Sequence, residues 1–488
     1  MINKTSMKFN LKHFSFLLLA AGMILVGCSK DSTSPEGETE TTVSSDYSFK
    51  NFCFKKEANP TLDMKYSARS GGSIIYITVP DGVSLTALKP SFTVHEKAVV
   101  KIGNTVVKSD ETPVDFSTTQ TITVTAEDGK YGKYQVLVRN GNSKIDNKVY
   151  DFMLDHDLPG VSVAISKDEA TVYAAGYGFS DKEAKVRASE NTLFRLASMS
   201  KQHAAIAIMK LYERGLLDID DTVFGKGGLL EEMFGDDMGD KWKRITVRDI
   251  LSHSSGISTD CIFGSSTYSG LSTEGRVRLL LQDSDNMGYG IGRFSYNNSN
   301  FGIAGLIVEH LTGKEFMQFL KEEVYSPIGI EDIYGGLNTQ NEKRSNECVY
   351  YGQGGKNPYG NDVEAGVAAG GVIASTSALM KLMAHLDYAT NVPDIFPKEI
   401  LDLMYTAKEG MYQSNGSVWN RYGLGWRVNY PSITSWASYH GGTLAGVCTI
   451  WARGKNNVNG VVLCNSRSYD KGIDDEMWYM LRDIQAMF

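Results

Sequence analysis

The stretch "FRLASMSKQ", residues 194 to 202, sets Ser198 and Lys201 three positions apart at the head of an apolar run. Residues i and i+3 of a helix share a face, so the lysine amine can reach the serine hydroxyl. A serine needs a partner to take its proton, and lysine serves when burial or neighbouring charge lowers its pKa. A helix N-terminus adds backbone N–H groups and the positive end of the dipole, both of which favour developing negative charge. The bland alternative is a helix cap beside a surface lysine. The bare pattern recurs at Ser468 and Lys471, which follow a strand and run into Gly472, so a solvated loop is expected there. Ser-x-x-Lys alone decides nothing.

Two further stretches carry polar groups of the right kind. "FSYNNSNFGIAGLIVEHL" (294 to 311) sets Tyr296 and Asn298 just before an apolar helix, and "SYHGGTLAGV" (438 to 447) sets His440 and Gly442 just before a strand. A tyrosine phenol near a lysine ammonium can have its pKa lowered enough to act as a base. An asparagine beside them can fix both by hydrogen bonds. Glycines on a strand edge let a substrate carbonyl approach backbone N–H groups. Read singly, Tyr-x-Asn is a turn before a helix and His-Gly-Gly a strand-edge turn.

Composition bounds the rest. A chain of 488 residues with 42% apolar and 22% charged residues is a folded protein of two or three domains. Its net charge is −8; the first 27 residues hold three lysines and no acid, leaving −11 for the remainder. Such a surface repels nucleic acid. Lys4, Lys8 and Lys12 precede an apolar run from Phe14 to Val26 and then Gly27-Cys28, the pattern of a secretory signal over residues 1 to 27. "LVGC" resembles the lipobox of bacterial lipoproteins, which implies lipidation of Cys28 and a membrane anchor at the cell envelope, in the outer membrane or at the cell surface. The five other cysteines lack metal-type spacing and read as small buried residues. No metal and no cofactor are implied.

Residues 28 to 46 have the composition of a polar tether. Residues 47 to 141 hold β-branched runs such as "SIIYITVPDG" (73 to 82) and "QTITVTAEDG" (120 to 129), the pattern of a small all-β sandwich. This part resembles the immunoglobulin-like domains near the N-termini of bacterial surface lipoproteins. A short linker, "NGNSK" (140 to 144), leads to residues 142 to 488, which are expected to fold without the sandwich, itself read as a spacer or docking module with no part in the chemistry. In that second part "GVSVAIS" (160 to 166) and "ATVYAAGYG" (170 to 178) read as a hairpin and "KQHAAIAIMKLYERG" (201 to 215) as a buried helix. "LGWRVN" (424 to 429), "CTIWAR" (448 to 453) and "GVVLCN" (460 to 465) read as strands, and Met477, Leu481, Ile484 and Phe488 form one face of a closing helix. Strands at both ends with helices between them predict one α/β domain whose sheet the C-terminus closes.

Taken in order, "FRLASMSK", "YNN" and "HGG" resemble the serine β-lactamase and penicillin-recognising peptidase superfamily, in its class C-like branch with D-alanyl-D-alanine carboxypeptidases and esterases. "TVRDILSHSSGI" (246 to 257), "AAGGVIASTSALMKLM" (368 to 383) and "RYGLGW" (421 to 426) look like its recurrent segments. The resemblance implies an α+β fold, an antiparallel sheet flanked by helices plus a helical region. It makes Ser198 the acylated nucleophile, Lys201 its proton partner, Tyr296 the general base and Asn298 the orienting amide. His440 and Gly442 occupy the third motif, with the Thr443 and Ser198 N–H groups as oxyanion hole. The implied substrates are small esters, peptides or β-lactams, and the oligomeric state stays open. Many members have Lys-Thr-Gly where this chain has His440-Gly441-Gly442, and a mostly neutral histidine there favours esterase or peptidase over β-lactamase. A Ser-His-Asp hydrolase based on His253 or His440 requires Gly-x-Ser-x-Gly, which does not occur. A surface protein that keeps the fold only for binding is the third reading, opposed by the intact polar motifs. The loops 259 to 270 and 338 to 364 are expected to shape the pocket.

Overall fold

Every residue from Gly160 to Ser166 is buried, so strand Gly160–Lys167 lies inside a sheet covered on both faces. The computed structural model describes residues 43–264, 266–429, 431–469 and 472–488; the expected signal segment, Cys28 and the tether up to residue 42 lie outside them. The sheet has seven antiparallel strands, in the order Val186–Arg187, Ala170–Asp181, Gly160–Lys167, Val458–Cys464, Val447–Gly454, Trp436–Leu444 and Arg427–Val428. Val163 faces Ala175 on one side and Val462 on the other, so the C-terminal strands close the sheet as the sequence predicts. Val161, Val163 and Ile165 pack with Met477, Leu481 and Ile484 of helix Ile473–Gln485, and Phe488 packs partly against them. Ala164, Val461 and Leu463 face the opposite core, built on helix Ser200–Glu213 and the helical region. All five described cysteines are buried and unpaired.

Two sheets precede this domain and enclose Phe54, Phe116, Ile122 and Val136, the all-β region expected. One has three strands around Lys50–Phe54, and the other six around Ile74–Val79 and Tyr131–Asn140. Asp128-Gly129 makes the hairpin between Gln120–Thr125 and Tyr131–Asn140. Asp81-Gly82 makes none, because Ile74–Val79 pairs in parallel with Tyr131–Asn140.

The stretch read as a linker is instead a tight joint. Strand Tyr131–Asn140 is followed at once by helix Ser143–Asp155, with Asn142 as its N-cap. Asp146, fully buried, accepts hydrogen bonds from Thr78 of the sandwich at 2.8 Å and from Tyr177 of the main sheet at 2.8 Å, as well as from Tyr173. Arg139 pairs with it at 3.4 Å and stacks over the Tyr177 ring. Tyr76 and Tyr150 stack with centroids 4.8 Å apart. Residues 45–488 thus form one compact unit.

Candidate active site

Ala197 is held at φ +49°, a left-handed conformation that a residue with a side chain adopts only under constraint. The strained turn delivers Ser198 within a short 3₁₀ segment, Ala197–Met199, that runs directly into helix Ser200–Glu213. The i, i+3 spacing then acts as expected: Lys201 Nζ lies 3.3 Å from Ser198 Oγ. Lys201 is fully buried and also donates to Asn298 Oδ1 at 2.7 Å and to the Ala369 carbonyl at 2.6 Å. Ala369 belongs to a π-turn, Val367–Gly371, in the segment "AAGGV". Gly425 lets the chain press onto this helix, since a side chain there would meet the Lys201 carbonyl at 2.8 Å and Gly425 sits at φ +77°.

Burial strips the Lys201 ammonium of water and lowers its pKa to about 7; Asp260 opposes the fall and Arg427 adds to it. The same burial acts on Tyr296 with the opposite sign, pushing its phenol up to about 12, although a hydrogen bond from Ser198 and the charge of Arg427 pull it down. The sequence led to the reverse expectation, a phenol lowered by a neighbouring ammonium. Desolvation overrides it: the amine beside the ring is itself near neutrality, 4.9 Å from the ring centroid.

Asn298 opens helix Asn298–Thr312, capped by the Asn297 side chain. Its amide is turned by Asp260, which accepts from Asn298 Nδ2 at 2.7 Å and leaves Oδ1 facing Lys201. Asp260 escaped the sequence reading; its only signal was its place in the loop 259 to 270.

His440, Gly441 and Gly442 lie within strand Trp436–Leu444 rather than ahead of it. A side chain at Gly442 would come within 2.1 Å of the Leu196 carbonyl, so only glycine lets this strand lie against the turn that carries Ser198. The strand pairs with Arg427–Val428 only at Ser438 and Tyr439, which leaves its edge open from His440 to Thr443 among the described residues. The edge carries Thr443 to the Ser198 cleft. His440 is buried and held neutral, its pKa well below the ordinary value through desolvation and the charges of Arg427 and Lys201. Its Nδ1 donates to the Gly441 carbonyl at 2.7 Å, and Nε2 accepts from Tyr422 at 2.9 Å.

Ser198, Tyr296, Asn298, His440 and Thr443 line one cleft of about 340 Å³, together with Arg427, Gly441, Asp474 and Trp478. Arg427 is the cation of this cleft. Its guanidinium lies 5.6 Å from the Tyr296 ring centroid and has no carboxylate partner among the described residues. Asp474, by contrast, is paired with Arg467, which also donates to the Thr443 hydroxyl at 3.0 Å. The sequence reading missed Arg427 because "LGWRVN" passes for an ordinary strand. Of the loops expected to shape the pocket, Ile262, Phe263, Asn361 and Asp362 line a separate cleft of about 300 Å³. The second Ser-x-x-Lys is not a solvated serine: Ser468 is buried, and Lys471 lies outside the described residues.

A half-buried Ser198 beside a buried Lys201, a Tyr-x-Asn segment and a His-Gly-Gly strand around one cleft are the arrangement expected of a penicillin-binding-protein-like serine hydrolase. The β-lactamase family model matches residues 145–482, and the chain belongs to that family of serine hydrolases. A second model, SGBP N-terminal, matches residues 66–138. Protein flp of Staphylococcus aureus (strain COL) is 24% identical over 325 residues, 65% of this chain and 63% of its own length. The match thus spans less than two thirds of that relative. Among solved structures, the octameric penicillin-binding protein homologue from Pyrococcus abyssi superposes with a TM-score of 0.56 at 22% identity, covering 70% of this chain and 76% of that one. The D-alanine carboxypeptidase AmpC from Burkholderia cenocepacia gives 0.54 at 17%, covering 70% and 98%.

Proposed function

We propose that this protein hydrolyses amide or ester bonds in small substrates that carry a carboxylate, of the D-amino-acid peptide type, through an acyl-enzyme on Ser198. The observation that carries the reading is the Arg427 guanidinium, with no carboxylate partner among the described residues, in the same cleft as the Ser198 hydroxyl and beside the near-neutral Lys201. Neutral Lys201 accepts the Ser198 proton as Oγ attacks the carbonyl carbon. Negative charge on the carbonyl oxygen is met by the Ser198 and Thr443 N–H groups. Tyr296, un-ionised at neutral pH, passes its phenolic proton to the leaving group and recovers one from Lys201. Water then releases the acyl group by the reverse route. Arg427 supplies the cation that His440, held neutral, does not. The D-alanine carboxypeptidase among the structural neighbours agrees with this substrate class. The protein is proposed to act as an exported lipoprotein anchored through Cys28, on the strength of "LVGC".

Values of kcat/KM for a D-alanyl-D-alanine peptide, its C-terminal amide, p-nitrophenyl butyrate and nitrocefin, measured on one preparation, test the reading. The peptide should exceed its amide and nitrocefin, and Arg427→Gln should raise KM for the peptide roughly 10- to 100-fold while sparing the neutral ester. Equal values for peptide and amide would discard the carboxylate. Tyr296→Phe should lower turnover roughly 10²- to 10⁴-fold with little change in KM; near-native turnover would leave Lys201 to transfer protons alone.

A further inference from the structure

His253 belongs to "SHSSG", a segment with no part in the mechanism so far, yet the fold constrains it heavily. It is fully buried and sits at φ +58°, a conformation costly for a residue with a side chain. Its carbonyl accepts the Ser295 N–H at 2.8 Å, and its Nδ1 accepts the Asn297 N–H at 3.2 Å. These two donors flank Tyr296. Asn300 Nδ2 lies 3.3 Å from the same Nδ1, so the imidazole proton resides on Nε2, which has no hydrogen-bond partner among the described residues. The ring lies against the Tyr296 ring, with centroids 4.2 Å apart, and Tyr422 and Phe301 close the other sides at 4.9 and 5.1 Å.

We infer that His253 is a positioning residue for Tyr296 and Asn298: its carbonyl and Nδ1 clamp the chain on both sides of the phenol and fix the start of the helix that carries Asn298. The inference rests on the acyl-enzyme reading above. A neutral ring suits the place: burial holds the His253 imidazole well below its ordinary pKa, and the positive charge of Lys201 and Arg427 adds to the fall. An acceptor, rather than bulk, is what the clamp requires. His253→Asn keeps an oxygen where Nδ1 stands and tolerates positive φ, whereas His253→Phe keeps the ring and loses the acceptor.

The test is the rate at which a fluorophosphonate labels Ser198, resolved into a maximal rate and a half-saturating concentration, from about pH 5 to 10. Rates are normalised to folded protein. In His253→Phe the maximal rate should fall roughly 10- to 100-fold through misplacement of the phenol, with half-saturation little changed. The acid limb should move to lower pH, because a displaced Asn298 no longer accepts from the Lys201 ammonium. His253→Asn should recover most of the rate and the native limb. A Phe variant with native rate and pH profile, or an Asn variant no better than Phe, would overturn the inference. Failure of the native protein to label would instead remove the acyl-enzyme reading beneath it.

Discussion

Ser198→Ala is expected to end both turnover and covalent labelling, and Lys201→Met to lower turnover roughly 10²- to 10⁴-fold or more, yet the two variants should part company in stability. Alanine at 198 removes a half-buried hydroxyl and should leave the melting temperature nearly unchanged. Methionine at 201 removes an amine held in the core at a cost. The fall in its pKa from 10.5 to about 7 corresponds to about 5 kcal/mol of folding free energy at about 1.4 kcal/mol per tenfold. Losing the donor to Asn298 and Ala369 offsets part of this, at about 1–3 kcal/mol for each acceptor left unmet.

The pH dependence separates these terms. Below pH 7 the folded and unfolded chains both hold the Lys201 proton, so the full penalty for a buried ammonium is present. Between pH 7 and 10.5 the unfolded chain holds more protons than the folded one, so this lysine's contribution to stability rises with pH. Above 10.5 the amine is neutral in both states and the penalty is gone. The melting temperature of Lys201→Met minus that of the native protein should therefore be highest near pH 6 and shrink towards pH 10. Activity of the native protein should rise through an acid limb near pH 7, where Lys201 loses its proton. A pH-independent difference between the two melting temperatures would show that Lys201 is not buried in its charged form.

The clustering of Ser198, Lys201, Tyr296, Asn298 and His440 was legible because three motifs in order resemble those of one superfamily, while spacing alone supplied only the local reach of each pair. The i, i+3 relation needs one turn of helix, and the Tyr-x-Asn pair needs one helix start. Arg427 and Asp260 were not legible because what defines them is tertiary. Arg427 reaches the Ser198 cleft only because the sheet carries its short strand there, and Asp260 meets Asn298 only when its loop folds against that helix start. The Tyr296 phenol was misjudged for a related reason. A charge two segments away can be inferred from motifs, whereas the burial that outweighs it comes from the packing of His253 and Tyr422, which lie far from Tyr296 in the chain.

The joint between sandwich and hydrolase was misread from composition, and it yields the largest stability effect. "NGNSK" has linker chemistry, but Asn142 caps a helix whose Asp146 and Tyr150 face the sandwich strand Ile74–Val79. A fragment of residues 142–488 would expose Tyr150, Leu154, Tyr177 and part of Met153, which now pack around Tyr76 and Leu137. At about 1.5–3 kcal/mol for each large apolar side chain the loss is several kcal/mol, and the melting temperature should fall by about 10 °C or more. Asp146 also loses Thr78 and Arg139, while keeping Tyr173 and Tyr177. Among the described residues none of the sandwich lines the Ser198 cleft, so the fragment should label with fluorophosphonate at the native rate when assayed well below its melting temperature. A fragment that melts with the full chain would mean the joint contributes nothing. A cold, folded fragment that labels slowly would mean that the joint reaches Ser198 through strand Ala170–Asp181 and its neighbour Gly160–Lys167, the path by which Tyr177 is tied to the main sheet.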